Sequence, residues 1–161
     1  MHGGVVIRDA RIPDEVPLAR ALFEEYAAAL DVDLCFQNFA QELAGLPGDY
    51  AAPRGCLLLA IEGELTVGCV ALRPLGNDAR PAAAEIKRLF VRSRVRGGGV
   101  GRALAETVIA RARAIGYREL KLDTLATMAE ARALYRSLGF RECPPYYDNP
   151  LPGVAYMSVA L

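Results

Sequence analysis

The chain has 161 residues, 53% of them hydrophobic and 24% charged, a composition typical of a single globular domain over residues 1–161. Nineteen basic and nineteen acidic side chains cancel, so no overall field attracts a nucleic acid or an anionic membrane. No apolar run reaches transmembrane length and the N-terminus has no signal-peptide pattern, which makes the cytoplasm the expected compartment.

The first half of the chain predicts a strand, two helices and a hairpin. The first helix has an apolar stripe that runs from Val16 to Leu30, and the hairpin turns at Gly63. The expected elements are a strand over 5–8, a helix opened by Pro13, a short helix over 36–43, and strands over 56–61 and 66–72.

The second half alternates strands and helices. The clearest helical pattern is a stripe with steps of three and four residues, which ends before Gly116: Val100, Leu104, Val108, Ala112 and Ile115. The remaining expected elements are a turn over 76–80, strands over 83–91, 120–123 and 154–160, and a helix over 127–138. Together the elements predict an α/β (α+β) fold, with a mixed, mostly antiparallel sheet of six or seven strands and helices on both faces.

Histidine and cysteine usage excludes several kinds of chemistry. His2 is the only histidine and lies at a terminus, so a histidine zinc site or a Ser-His nucleophile system has no credible residues. The four cysteines are scattered, which argues against a metal site or disulfides. Cys56 and Cys69 flank apolar runs and are expected to be small buried residues.

The segment Arg96-Gly97-Gly98-Gly99-Val100-Gly101 joins a predicted strand to the predicted helix over 100–115. Glycines there let a ligand approach the backbone, and the first helical amides lack acceptors, so the junction is suited to hold phosphate. The segment lacks the Gly-Lys-Ser/Thr of nucleotide hydrolases. A dinucleotide-binding pattern, G-x-G-x-x-G, that began at Gly99 would require glycine where the chain has Leu104. Its pattern is R-x-x-G-x-G. A loose hinge is the alternative interpretation.

Three blocks of this sequence resemble the GNAT superfamily of acyl-CoA N-acyltransferases. They are the strand-like run 85–91, the R-x-x-G-x-G loop with its helix, and the run 131–140, which resembles an A-x-x-L-Y-x-x-x-G-F block. The resemblance covers residues 83 to 142 and implies a GNAT-like fold. It also implies an acetyl-CoA-dependent N-acetyltransferase without a metal, whose acetyl group passes directly to an amine within a ternary complex.

The resemblance also implies which groups hold the cofactor. Main-chain groups of Leu89, Phe90 and Val91 would align the pantetheine arm, and an amide there would polarise the thioester carbonyl. The pyrophosphate would lie on amides of the loop, namely Arg96, Gly97, Gly98, Gly99, Val100, Gly101 and Arg102. Several arginines lie around the loop, namely Arg88, Arg92, Arg94, Arg96 and Arg102. Arg92 and Arg94 either belong to this local basic cluster or are solvated surface charge.

Tyr135 and Glu85 are the catalytic candidates. The resemblance implies that the Tyr135 hydroxyl protonates the departing CoA thiolate. The helical apolar stripe that contains Tyr135 by itself favours a core aromatic residue instead. Glu85 precedes Arg96 by eleven residues, the offset of the glutamate base in histone-acetylating members. Its alternative is a surface residue paired with Lys87 or Arg73. Strand alternation puts Glu85, Lys87, Leu89 and Val91 on one mixed face, consistent with a cleft wall.

One position departs from the family pattern. Many relatives carry asparagine seven residues before the tyrosine, where this chain has Met128. The contact of that asparagine to the cofactor is then absent, or is made by Thr124 or Thr127.

The acceptor side is less specified by the sequence. Glu25, Gln37, Tyr146 and Tyr147 are candidate contacts to a small cationic amine, with Asp148 beside them, although the loop around the two tyrosines also reads as rigid packing. The expected partners are a small amine or peptide acceptor, with a homodimer as a further option and neither nucleic acid nor membrane. The rival to an enzyme is a non-catalytic acetyl-CoA-binding sensor or regulatory module.

Overall fold

The computed structural model describes residues 4–30, 34, 38–76, 82–125 and 127–161. Within them, seven strands and four α-helices follow one another along the chain. In order they are β1 (Val5–Asp9), α1 (Val16–Leu30), α2 (Phe39–Ala44), β2 (Cys56–Glu62), β3 (Leu65–Pro74), β4 (Ala83–Val91), α3 (Val100–Ile115), β5 (Glu119–Thr124), α4 (Ala129–Ser137), β6 (Arg141–Cys143) and β7 (Ala155–Ala160).

All seven strands form one sheet in the order β1-β2-β3-β4-β5-β7-β6. Every neighbouring pair is antiparallel except β4 and β5, which are parallel. These two strands pair only at their beginnings, where 83–85 lies beside 119–121. Because both strands continue beyond that point, they diverge and leave an opening in the middle of the sheet.

The two faces of the sheet carry separate apolar cores, as the alternation of side chains along β2 illustrates. Leu58 and Ala60 pack in the core beneath α3, whereas Leu57 and Leu59 pack in the core beneath α1. Each of these four residues is at most 4% exposed. Helices therefore cover both faces, as predicted, and the sheet is mixed and mostly antiparallel.

Most elements lie close to their predicted ranges, and β4 and α3 match theirs residue for residue. Helix α1 starts at Val16, three residues after Pro13, and α2 starts at Phe39. Strand β6 was not predicted, because its three residues are polar or partly exposed and show no alternation. The beginning of the predicted second helix (36–37) and most of the predicted turn (77–80) lie outside the described residues.

The structure also bears on the cysteines, on membrane-spanning helices and on metal-binding clusters. Cys56 and Cys69 are 2% and 0% exposed, so the prediction that they are buried residues is confirmed. Among the described helices, none is long and apolar enough to cross a membrane. In the same residues no cluster of three or more His, Cys, Asp or Glu side chains is arranged to hold a metal ion.

Candidate active site

Two connected cavities lie where β4 and β5 diverge. The larger, which we call the outer groove, has a volume of about 620 Å³ and runs between the glycine loop, the end of β4 and the start of α4. The smaller, the inner pocket, has a volume of about 40 Å³ and lies between β4 and β5. Both cavities are lined by a shared set of residues: Tyr26, Leu30, Leu89, Met128 and Ala131. The inner pocket therefore adjoins the outer groove.

The glycine loop forms one wall of the outer groove. Gly97 and Gly99 have φ angles of 85° and 87°, a left-handed conformation that strains other L-residues. Gly99 precedes α3 without a side-chain cap, and the first helical hydrogen bond runs from the Ala103 amide to the Gly99 carbonyl at 3.0 Å. The amides before Ala103 therefore have no helical acceptor and remain for a ligand in the groove.

The arginines near the loop separate into two groups. Arg96 and Arg102 line the outer groove, and Arg102 donates to the Ser137 hydroxyl at 2.6 Å. Arg92 instead pairs with Glu25 (2.6 Å) and donates to the Thr66 carbonyl (2.7 Å), and Arg94 pairs with Glu62 (2.6 Å). Surface charge therefore describes Arg94, whereas Arg92 is half-buried, and neither lines the outer groove.

Strand β4 contains a bulge where it passes the two cavities. The register against β3 shifts between Cys69 and Ala71, so Arg88 and Leu89 lie opposite a single β3 residue. The predicted common face for Glu85, Lys87, Leu89 and Val91 is therefore wrong. Leu89 and Val91 pack against the core beneath α3, whereas Glu85 and Lys87 share the other face with their β3 partners.

The main chain at the end of β4 divides its hydrogen bonds between β3 and the outer groove. The Arg92 amide donates to the Val67 carbonyl of β3 at 2.8 Å. Because successive strand residues point their main-chain groups to opposite sides, those of Val91 face the opening. The Val91 carbonyl accepts from Arg96 Nε at 2.8 Å, and the Arg96 guanidinium lies 5.6 Å from the centre of the Phe90 ring.

Glu85 is enclosed by partners rather than facing a cavity. Its side chain is 1% exposed and is absent from the lining of both cavities. Arg73 holds Oε1 at 2.8 Å, the Tyr146 hydroxyl donates to Oε2 at 2.5 Å, and Lys87 Nζ is 3.9 Å from Oε2. The pairing with Arg73 and Lys87 that the sequence offered as an alternative is present, although Glu85 is buried and not on the surface.

Asp123, at the end of β5, is the carboxylate that lines the inner pocket. Its Oδ2 accepts hydrogen bonds from the Tyr147 hydroxyl and from Asn149 Nδ2, the latter at 2.8 Å. Its Oδ1 is 3.9 Å from Lys87 Nζ, which also lines the pocket. Burial lowers the pKa of Lys87, against the opposing charges of Glu85 and Asp123.

Tyr135 lines the inner pocket from α4. It is 5% exposed, and its ring lies edge-on to Phe140 at 5.4 Å between centroids. Burial raises the pKa of its hydroxyl, and the nearby Tyr26 and Asp123 raise it further. Tyr135 is thus both a core aromatic and a pocket residue, which combines the two interpretations that the sequence allowed.

The four candidate acceptor residues lie in different surroundings. The hydroxyls of Tyr146 and Tyr147 donate hydrogen bonds to Glu85 and Asp123, and the two ring centroids are 5.5 Å apart. The loop that carries these tyrosines is therefore packed against the protein and also reaches the site. Glu25 pairs with Arg92 and lines neither cavity. Gln37 lies outside the described residues.

Met128 occupies the position where relatives carry asparagine. It directly precedes α4 without a side-chain capping bond, lines both cavities, and its sulfur lies 3.7 Å from the Thr124 hydroxyl. Thr124 lines the inner pocket and Thr127 the outer groove. Both threonines are therefore placed where a polar contact to a ligand is available.

Sequence reasoning did not propose four polar residues of the inner pocket as site residues: Lys87, Arg88, Asp123 and Asn149. A signal was present for Asp123, because it follows the buried Leu120 and Leu122 at the end of a strand. Its importance depends on the strand order, since parallel neighbours bring their carboxyl ends to one edge.

Residues 18–140 match the Acetyltransferase (GNAT) family. This chain belongs to that family. It is 37% identical over 158 residues to an uncharacterised N-acetyltransferase of Schizosaccharomyces pombe, covering 98% of this chain and 95% of the relative. It is 34% identical over 114 residues to an N-acetylaspartate synthetase of Danio rerio, covering 70% of this chain and 39% of that protein.

The fold comparison agrees with the GNAT assignment. A GNAT acetyltransferase of Staphylococcus aureus superposes with a TM-score of 0.78 over 97% of this chain and 98% of its own, at 19% identity. The chain is therefore a GNAT N-acetyltransferase that uses acetyl-CoA.

The residues present fit acetyl-CoA. A Cβ added at Gly97 or Gly99 would meet no atom within 4 Å, so the loop leaves open space beside the uncovered amides. The groove between this loop and α4 is large, and it adjoins a pocket of about 40 Å³. Since a single water needs about 10–15 Å³ in such a measure, the pocket accommodates a group as small as acetyl.

Proposed function

We propose that the enzyme transfers acetyl from acetyl-CoA to a primary amine of a small molecule, an amino acid or a peptide by direct attack in a ternary complex. The observation that carries the proposal is the junction of the two cavities. There the glycine loop, with its uncovered amides, leads to a pocket lined by a carboxylate, Asp123, and a buried phenol, Tyr135.

Direct attack is favoured by the residues around the cavities. Among the described residues that line them, there is no cysteine to carry the acyl group between two half-reactions. The three described cysteines lie elsewhere, and burial raises the pKa of Cys56 to about 12. A thiol with so high a pKa is a poor nucleophile at neutral pH.

The cofactor residues follow from the two walls of the outer groove. We assign the pyrophosphate to the amides from Arg96 to Arg102, and the pantetheine arm to the main chain of Leu89 and Val91 with the Phe90 ring beside it. Arg96 donates to the Val91 carbonyl, so that carbonyl already has a partner within the protein. When bound, acetyl-CoA supplies an activated acyl group as a thioester.

We assign the proton-accepting role to Asp123. An ordinary amine has a pKa of about 10.4, so its proton must be removed before it is nucleophilic at neutral pH. Asp123 lines the pocket, and Tyr147 and Asn149 orient it through Oδ2. Glu85 lies outside the pocket lining and is the alternative, acting at a distance through Tyr146 or Lys87.

We assign the proton-donating role to Tyr135. Burial raises its pKa, so the hydroxyl keeps its proton at neutral pH and can give it to a departing thiolate. The described residues offer the hydroxyl no hydrogen bond, which leaves it available to a ligand in the inner pocket.

The experiment that tests the function is thiol release from acetyl-CoA across an amine panel. The panel contains polyamines, arylalkylamines, free amino acids including aspartate, and short peptides; aspartate is included because of the N-acetylaspartate synthetase relative. Turnover with at least one amine, with a product heavier by one acetyl group, supports the proposal. Tight binding of acetyl-CoA without turnover on any amine would instead support the sensor.

Asp123→Asn and Glu85→Gln test the assignment of the base. If Asp123 accepts the proton, Asp123→Asn lowers kcat by about a hundredfold or more near neutral pH, since positioned general bases contribute about a hundredfold to ten-thousandfold. The deficit should narrow as the pH approaches about 10, because more of the amine is then already deprotonated. Initial rates as a function of pH measure both effects.

Glu85→Gln is the comparison for this assignment. It removes the charge that faces Arg73 but leaves the pocket lining unchanged. A larger kcat loss in Glu85→Gln than in Asp123→Asn, with both variants folded, would return the base role to Glu85.

A further inference from the structure

Arg88 has a backbone conformation that L-residues avoid. Its φ angle is 61°, and among the described non-glycine residues only Asn38 shares a positive φ. In the left-handed region the Cβ of an L-residue crowds the following carbonyl. Such a conformation persists only where the surroundings hold it.

Arg88 lines the inner pocket, and its side chain is held by contacts to two helices. It is 1% exposed, and its Nε and Nη2 each donate to one carboxylate oxygen of Glu42 at 2.9 Å. The guanidinium also lies 5.6 Å from the centre of the Tyr26 ring and 5.1 Å from that of Phe39. One side chain of β4 is therefore fixed to both α1 and α2.

The strained residue lies directly before Leu89, which lines both cavities. Arg88 and Leu89 together form the bulge, so the φ of Arg88 sets the direction of the Leu89 amide. The Arg88 carbonyl is fixed from the other side, since it accepts from the Cys69 thiol at 3.2 Å.

We propose that the Arg88–Glu42 pair is a clamp that holds the β4 bulge in the shape needed at the acyl site. Arg88 is then a positioning residue, which acts through the main chain of Leu89. This inference rests on the proposed function, because the Leu89 amide matters only where a thioester lies beside it. The clamp also connects α2 to the inner pocket, so a displacement of α2 would reach the Leu89 amide.

The competing explanation is that the ion pair only docks α2 on the sheet. The two explanations differ in what glycine should do at position 88. Glycine and alanine both remove the guanidinium, so they lose the docking contact equally. Glycine alone adopts a left-handed φ without strain, so it keeps the shape of the bulge without the clamp.

The test compares Arg88→Ala and Arg88→Gly with a control, Arg111→Ala. Arg111 makes a similar two-pronged pair with Asp9, which joins α3 to β1 away from the cavities. We expect kcat of Arg88→Ala to fall by about tenfold, less than the roughly hundredfold to thousandfold effect of deleting an oriented donor, because the Leu89 amide is displaced and not removed. The kcat of Arg88→Gly should exceed that of Arg88→Ala by roughly fivefold, as expected from the strain of a left-handed L-residue. Arg111→Ala should retain the wild-type kcat.

A second measurement uses the enzyme without any ligand. Amide hydrogen exchange of a peptide that contains residues 86–91 should be faster in Arg88→Ala than in the wild type, and unchanged in Arg111→Ala. Glu42→Gln keeps the contacts of Arg88 to the Tyr26 and Phe39 rings, so its amide exchange should increase to a smaller extent. This variant replaces Arg88→Ala in the test if Arg88→Ala does not fold.

Several results would overturn the clamp. One is that Arg88→Gly and Arg88→Ala have equal kcat values, both below that of the wild type. The others are a kcat of Arg88→Ala equal to that of the wild type, and amide exchange over residues 86–91 that is unchanged in Arg88→Ala. If the wild type itself turned over no amine, the proposed function would fail. The exchange measurement would then still decide whether Arg88 holds the bulge.

Discussion

Tyr135→Phe is expected to lower kcat by about a hundredfold to ten-thousandfold, the range over which a positioned general acid acts. The substitution removes one oxygen and keeps the ring that packs against Phe140. No described residue loses a hydrogen-bond partner, so the melting temperature and the dissociation constant for CoA should stay close to those of the wild type. Steady-state kinetics with isothermal titration of CoA separates these quantities.

Tyr117→Phe is the matched control for this prediction. Tyr117 is also 5% exposed and belongs to the same core, but its hydroxyl donates to the Arg54 carbonyl at 2.6 Å, away from both cavities. Its kcat should equal that of the wild type. A wild-type kcat in Tyr135→Phe would remove the acid role from Tyr135.

The pH dependence of Tyr135→Phe has a predictable sign. Burial raises the pKa of Tyr135 above the ordinary value of about 10, so its proton stays bound over the working range. The ratio of wild-type to variant kcat should therefore be constant between about pH 6 and 9. A ratio that falls within this range would show that the acid deprotonates at lower pH and is another group.

Local patterns predicted most of the fold because they depend on neighbours in sequence. The stripe of α3 and the apolar run of β4 each specify one element, and both elements were located to the residue. The glycine loop was predicted for the same reason, since the stereochemistry of Gly97 and Gly99 is a property of single residues. Three polar or half-exposed residues do not form a pattern, which is why β6 was missed.

The inner pocket was less predictable because its contacts join distant parts of the chain. Arg88 and Glu42 are 46 residues apart, and Tyr147 lies 24 residues beyond Asp123. Strand alternation also fails at a bulge, so the face assigned to Leu89 could not be inferred from β4 alone. For Glu85, the spacing to Arg96 suggested a catalytic base, but only the packing shows that Arg73 and Tyr146 occupy its oxygens and that it lies outside the lining of both cavities.

Gly99→Val is expected to raise the dissociation constant of acetyl-CoA by about fivefold to thirtyfold, the factor that corresponds to a strain of roughly 1–2 kcal/mol. Gly99 has a φ of 87° immediately before α3, and a left-handed L-residue costs roughly 1–2 kcal/mol, with a β-branched one at the upper end. The loop can avoid this strain only by rotating its amides away from the outer groove, which removes donors from the pyrophosphate. Titration of acetyl-CoA by calorimetry measures the effect.

Gly63→Val separates strain from ligand binding. Gly63 has a φ of 63° in the β2–β3 turn, and like Gly99 it has no atom within 4 Å of an added Cβ. Both variants should therefore lose a similar amount of stability, whereas only Gly99→Val should lose affinity, because only Gly99 lines the groove. Equal affinities in the two variants would mean that the pyrophosphate is held elsewhere. The assignment of the outer groove to the cofactor would then fail, since its most specific feature is the set of amides that Gly99 leaves uncovered.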